Sequence, residues 1–381
     1  MTMFNRPIIH AAAAVLYRTE ILNPDGTLAR ARSFKRNLIL DQGLNLVATT
    51  QWAACFAYCA VGTGTTATKR DSGSVTFSRS GTTVTASAGF FDSADTGRLL
   101  KWDTGQECYL TYVNATTCTS NLSGTIGAAE GTVWYVNQTA LTTETARTNS
   151  LSGDGGANGT TFTTDTYTHK RTFLFPAVVS GVTYNEIGWS PSGSGNLFGR
   201  DTIPGGDMLA AGQQYKVVVQ LLITISPVAS TAQGDVGNNG FNTAGNYNHE
   251  YVGNAYSIVE SNGNTTAGGL EPAQATRANL VAGSFTLLSS PSYTVDYVGD
   301  FGSINLTNLS YTNGNFYRDS QGTVVVADGN SADLRAIVFG LQGGFVTNRN
   351  LSLRFTAAQT KDSDHTVKIT LRKSWGRILV N

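Results

Sequence analysis

At 381 residues the chain is long for a single domain, so two or three packed units are expected. Charged residues make up 14% of it, and 42 glycines with runs of Thr, Ser and Asn take the place of the missing charge; ordinary globular proteins carry roughly 25%. Lys plus Arg and Asp plus Glu each number 26, which excludes the basic footprint of a nucleic-acid binder and an acidic tail, while 17 Phe and 15 Tyr exclude a disordered chain. A weakly charged surface of balanced sign packs against copies of itself at low electrostatic cost.

The run Ile8 to Tyr17 has the texture of a signal peptide but reads better as the approach to a first strand, and no other apolar stretch nears the roughly 18 residues of a membrane span. Val15 to Leu22 forms a strand, Asn23-Pro24-Asp25-Gly26 a turn, and Leu28 to Leu40 the returning strand. Asp41 is placed to cap one short helix near residues 41–56, because Leu44, Val47, Ala48, Trp52, Cys55 and Phe56 repeat at helical spacing. Tyr58 to Val61 then runs into Gly62-Thr63-Gly64, a tight connection. It lacks the Gly-Lys-Ser/Thr and the following helix of a phosphate loop.

From Val75 to Leu141 short alternating runs such as Leu99 to Trp102, Cys108 to Val113 and Thr132 to Val136 define a small β module over 75–141, inserted into a discontinuous sandwich of 1–74 and 142–227. Ser150 to Thr161 is a surface loop, and Thr166 to Phe175 resumes the interrupted sheet. Ile187 and Trp189 share one face of a strand, Ser190 to Asn196 breaks it, and Leu197 to Asp201 belongs to an irregular loop. Gln214 to Ile225 is a long strand with little polar relief, stopped by Pro227. The remainder, 228–381, is a β-rich unit with Gly/Asn-rich loops, whose last strand Val367 to Trp375 alternates apolar and basic residues. The fold class is thus all-β, with several sandwich or barrel-like units.

Reactive side chains are sparse. His10, His169, His249 and His365 lie in no nucleophile or zinc motif, and Cys55, Cys59, Cys108 and Cys118 read as buried thiols. Glycoside cleavage needs two acids, which Asp296 with Asp300 or Asp201 with Asp207 could supply, and Asp154 and Asp235 sit in loops able to offer calcium oxygen ligands. Neither pattern is specific, so no catalytic residue, cofactor or metal ligand is assigned. Tyr247, Tyr251, Tyr256, Tyr293, Tyr297, Tyr311 and Tyr317, amid abundant Asn, suit intersubunit packing first and glycan contact second. Trp189, Arg200 and Asp201 read as structural: a core indole, and a local ion pair or turn cap.

Asn37 to Asn45, Ala60 to Gly64 and the stretch from Glu186 through Asp201 to Lys216 resemble tail-associated structural proteins of tailed bacteriophages, and the module at 75–141 is similar in texture to β modules that decorate phage fibres. The resemblance implies a virion protein assembled in the host cytoplasm in multiple copies. Its partners would be itself and other virion proteins, with a host-surface glycan as a further candidate. Nucleic acid, membrane insertion, a cofactor and a reaction are not implied.

Overall fold

The computed structural model describes residues 8–152, 159–162, 166–226, 300–324 and 367–379, together with strands at 233–235, 246–251, 276–282, 285–286, 296–297, 331–340 and 350–361. Between 225 and 304, and between 324 and 368, the description is of the backbone alone. The protein is all-β, with a single α-helix among the described residues.

The chain opens with β1 (Ile8–Leu22), which pairs antiparallel with both β2 (Leu28–Ala31) and β3 (Lys35–Ile39). The turn between β1 and β2 closes through Gly26 N–H donating to Asn23 O at 2.9 Å, with Gly26 at φ +83°, where a side chain would be strained. The return from this turn is two strands rather than one; Arg32, just past the end of β2, donates its Nε to Asp207 Oδ1 at 2.7 Å. Helix α1 (Asp41–Val47) is shorter than the spacing predicts, and a separate 3-10 turn covers Ala53–Phe56. Thr49 and Thr50 stand at the break, where Thr49 Oγ1 donates back to Leu46 O at 3.3 Å, the local competition that makes Thr a poor helix former. Leu40 occupies the cap position without a side-chain bond, so Asp41 is not the cap. Its carboxylate instead takes the Tyr109 hydroxyl at 2.8 Å and pairs with Arg377.

After β4 (Tyr58–Gly62) the chain leaves for a separate eight-stranded antiparallel sheet: β5 (Lys69–Asp71), β6 (Phe77–Ser80), β7 (Thr83–Ala86), β8 (Leu99–Trp102), β9 (Glu107–Asn114), β10 (Thr117–Ser120), β11 (Ile126–Ala129) and β12 (Gly131–Trp134). Alternation sends Phe77, Val84, Trp102, Leu110 and Val133 into a core of its own. Asp95, fully buried, ties this unit together by receiving Arg70 at 2.5 Å and Arg98 at 2.7 Å.

The chain returns through β13 (Glu144–Thr148), β14 (Gly159–Phe162), β15 (Thr166–Leu174), β16 (Val182–Ser190), β17 (Gly199–Leu209) and β18 (Gln214–Ser226). One layer runs β14-β15-β18-β1. The other runs β3-β17-β16-β4-β13, and β3 curls one into the other by pairing with both β1 and β17. Val15, Val217, Leu221, Ile187 and Trp189 face each other in the main core, and Leu44, Val47, Trp52 and Phe56 close it. The far side of β3, β4 and the loop before β17 is covered too, by a third cluster in which Leu38, Ala60 and Leu197 meet Leu99 and Val136 from the inserted unit. The second layer is therefore buried on both faces.

The segment Leu197 to Asp201, expected in a loop, runs into β17, a strand that Pro204, Gly205 and Gly206 conceal in the sequence. The glycines, at φ +71° and +66°, mark a bulge where the β16–β17 register shifts.

The remaining strands are β19 (Gln233–Asp235), β20 (Asn246–Tyr251), β21 (Thr276–Ala282), β22 (Phe285–Thr286), β23 (Asp296–Tyr297), β24 (Asp300–Asn308), β25 (Tyr317–Val324), β26 (Ser331–Gly340), β27 (Asn350–Lys361) and β28 (Val367–Arg377). β28 lies antiparallel to β25 and parallel to β1, with Ile8 beside Arg372 and Ala13 beside Arg377. Every other pairing among the described residues is antiparallel. Ile369, Leu371 and Trp375 thereby enter the main core from the end of the sequence. Lys373 shares their inward phase and is buried, 3.3 Å from Asn308 Oδ1, so the basic residues of this strand do not all lie on its outer side.

Candidate functional site

The densest polar chemistry lies inside the second sandwich layer. Successive residues of a strand point to opposite faces, so Arg200 and Asp201 cannot pair with one another and each reaches a different partner. Arg200 Nη2 donates to Glu186 Oε2 at 2.8 Å, diagonally across the β16–β17 ladder, and to Thr66 O at 3.1 Å. Glu186 also accepts the backbone N–H groups of Gly64 at 3.2 Å, Thr142 at 2.9 Å and Thr143 at 2.7 Å. Both partners are buried, at 0% and 1% exposure. A Cβ on Gly64 would come within 2.5 Å of Glu186 Oε1 and one on Gly62 within 2.7 Å, which explains the Gly-Thr-Gly spacing after β4. Glu186 thus clamps the two connections that lead into and out of the inserted unit.

On the opposite face, Asp201 accepts Lys35 Nζ at 2.8 Å, the Tyr17 hydroxyl at 3.1 Å and Thr202 N–H at 2.8 Å. Burial raises its carboxyl above the ordinary range, with Lys35 pulling it back. Beyond the bulge, Asp207 accepts Thr19 Oγ1, Tyr215 OH and Arg32 Nε, each at 2.7 Å. Burial, then the neighbouring carboxylates, push the Tyr17 and Tyr215 hydroxyls well above their usual range, so both stay protonated donors.

The arrangement suits bracing better than catalysis. Asp201 and Asp207, one of the two acid pairs suggested for glycoside cleavage, are buried with their oxygens directed at internal donors, not at a cleft. The side chains of Asp296 and Asp300 lie outside the described residues, as do Asp154 and the side chain of Asp235. Among the described residues no three His, Cys, Asp or Glu side chains converge as a metal site requires. The four cysteines are buried and form no disulfide, and desolvation raises the thiols of Cys59, Cys108 and Cys118, the last to about 12.

Of the seven tyrosines, two have described side chains. Tyr311 donates to Asn45 Oδ1 at 2.6 Å and lies 5.6 Å from the Trp375 ring, and Tyr317 carries the Arg372 guanidinium 3.7 Å over its face. Tyr247, Tyr251 and Tyr297 lie on β20 and β23 with undescribed side chains, and Tyr256 and Tyr293 fall outside the described residues. Trp189 is fully buried, 5.3 Å from the Tyr17 ring. Glu186, the hub of the clamp, was assigned no role in the sequence. The signal available was a carboxylate directly before Ile187, Gly188 and Trp189 in a strand whose last five residues are all buried.

His169, buried on β15, has its pKa lowered to about 4 by desolvation and then by Arg171. The unfolded chain takes up this proton near pH 6.5 and the folded chain near 4, so stability present at neutral pH is lost as pH falls through that window. The loss approaches about 3 kcal/mol. Asp201 has the opposite sign, its raised pKa favouring the fold as it protonates. Melting curves from pH 7 to 4 for the native chain and His169→Gln isolate the histidine; parallel curves would show that His169 does not titrate as described.

No family model, curated protein or solved structure matches the chain.

Proposed function

We propose that the chain is a structural component of a tailed-phage virion, tail-associated and assembled in multiple copies. One observation carries this reading. The β1–β2 turn, the segment between β15 and β16 and the β17–β18 turn are cross-braced at one end of the sandwich by Gly212 N–H to Val178 O at 2.8 Å, Val178 N–H to Gln213 O at 2.9 Å and Gln213 Nε2 to Asn23 Oδ1 at 3.2 Å. These connections and their flanks hold Val179, Met208 and Leu28 at 97%, 74% and 58% exposure. Large apolar side chains held exposed on and beside braced turns are what a packing surface between subunits needs. The resemblance carried by the sequence around Gly62–Gly64 and Glu186 is the second support for this reading.

Sedimentation of the purified chain is expected to show self-association that Val179→Asp with Met208→Asp abolishes while leaving the melting temperature within about 2 °C, as surface substitutions do. A native chain that stays monomeric at every concentration, or new reducing ends released from host envelope glycans, would overturn the proposal in favour of a freely acting or polysaccharide-degrading protein.

A further inference from the structure

A small polar site lies inside the main core, beside Gly199. Asn37, on β3, is 8% exposed and lies opposite Val15 of β1, in phase with Lys35 and Ile39. A Cβ on Gly199 would collide with Asn37 Oδ1, so the carboxamide occupies the space this glycine leaves. Trp189 stands directly across from Gly199 in the β16–β17 ladder, is fully buried, and packs its ring on Tyr17 and Phe56. Asn37 and Trp189 therefore flank Gly199 from either side on one face of the layer.

Among the described residues, neither end of the Asn37 carboxamide has a hydrogen-bond partner, and neither does Trp189 Nε1. Two other fully buried indoles behave differently: Trp102 donates to Phe77 O at 2.9 Å and Trp375 to Leu44 O at 2.8 Å. Leaving an indole N–H and a carboxamide unsatisfied in an apolar core is costly, and buried groups of this kind are met by ordered water.

We propose that a water molecule is bound between Asn37 and Trp189, accepting from the Trp189 indole N–H and donating to the Asn37 carbonyl oxygen. In the flipped amide orientation the Asn37 N–H2 group donates to it instead. An anion is disfavoured by Asp201, which lies two residues beyond Gly199 in the same phase, and a cation would find a single amide oxygen and an opposing indole donor. The site is independent of how the chain assembles.

Water cross-relaxation measured on the full chain, labelled with 15N at its tryptophan indoles, tests this. A direct water cross-peak is expected at the Trp189 indole proton, identified by its loss in Trp189→Phe, and none at Trp102 or Trp375, the internal controls. Asn37→Leu is expected to abolish that peak. A Trp189 signal as silent as the controls, or one that persists unchanged in Asn37→Leu, overturns the proposal. Should Asn37→Leu not fold, the comparison of the three indoles in the native chain still decides it.

Discussion

Glu186→Ala is expected to lower the unfolding free energy by about 3–5 kcal/mol, the cost of stranding one member of a buried ion pair. The substitution leaves Arg200 without its carboxylate and removes the acceptor for Gly64, Thr142 and Thr143 N–H, all in a layer covered on both faces. Arg200→Met should cost less than Glu186→Ala, because the remaining carboxylate still receives three backbone donors. The double variant should be less destabilised than the two single losses summed, since the partners share one interaction. Urea titrations of the three variants measure this. A Glu186→Ala loss below about 1 kcal/mol, the range of exposed pairs, would show that the clamp does not hold the two connections.

Trp375→Ala is the second large effect, again about 3–5 kcal/mol, from the transfer and cavity terms of a buried indole and from the bond it gives to Leu44 O. This residue lies at the end of the sequence but packs in the core that β1, β18 and α1 build. The damage should therefore appear in the N-terminal sandwich: alkylation of the buried Cys59 is expected to speed up along with the fall in stability. Alkylation at the native rate in a destabilised Trp375→Ala chain would mean that the C-terminal strand unfolds without opening the sandwich.

Elements whose patterns are local were legible in the sequence. The run of Val, Leu and Ile after Gln214 became β18, and Pro24 with Gly26 marked the turn before β2, because apolar periodicity and turn chemistry act over a few residues. β17 was hidden because its pairing depends on a bulge that Pro204 and two glycines make and that no single-strand pattern expresses. The helix was overextended because helical spacing at Trp52, Cys55 and Phe56 also fits a 3-10 turn facing the same core. The polar hub was harder still. Trp189, Arg200 and Asp201 could be named as structural, but that Arg200 belongs to Glu186 and Asp201 to Lys35 follows from a two-faced burial known only once the inserted unit covers the second layer.

The parallel seam between β1 and β28 also bears on biosynthesis. The hydrogen-bonding flank of Ile8 to Ala13 is satisfied by residues 372–377, so while the ribosome makes the intervening stretch the nascent chain carries an incomplete N-terminal layer. That layer cannot close until residues 372–377 have been made, so the mature core, which includes Trp375, waits on a strand far from β1 in sequence.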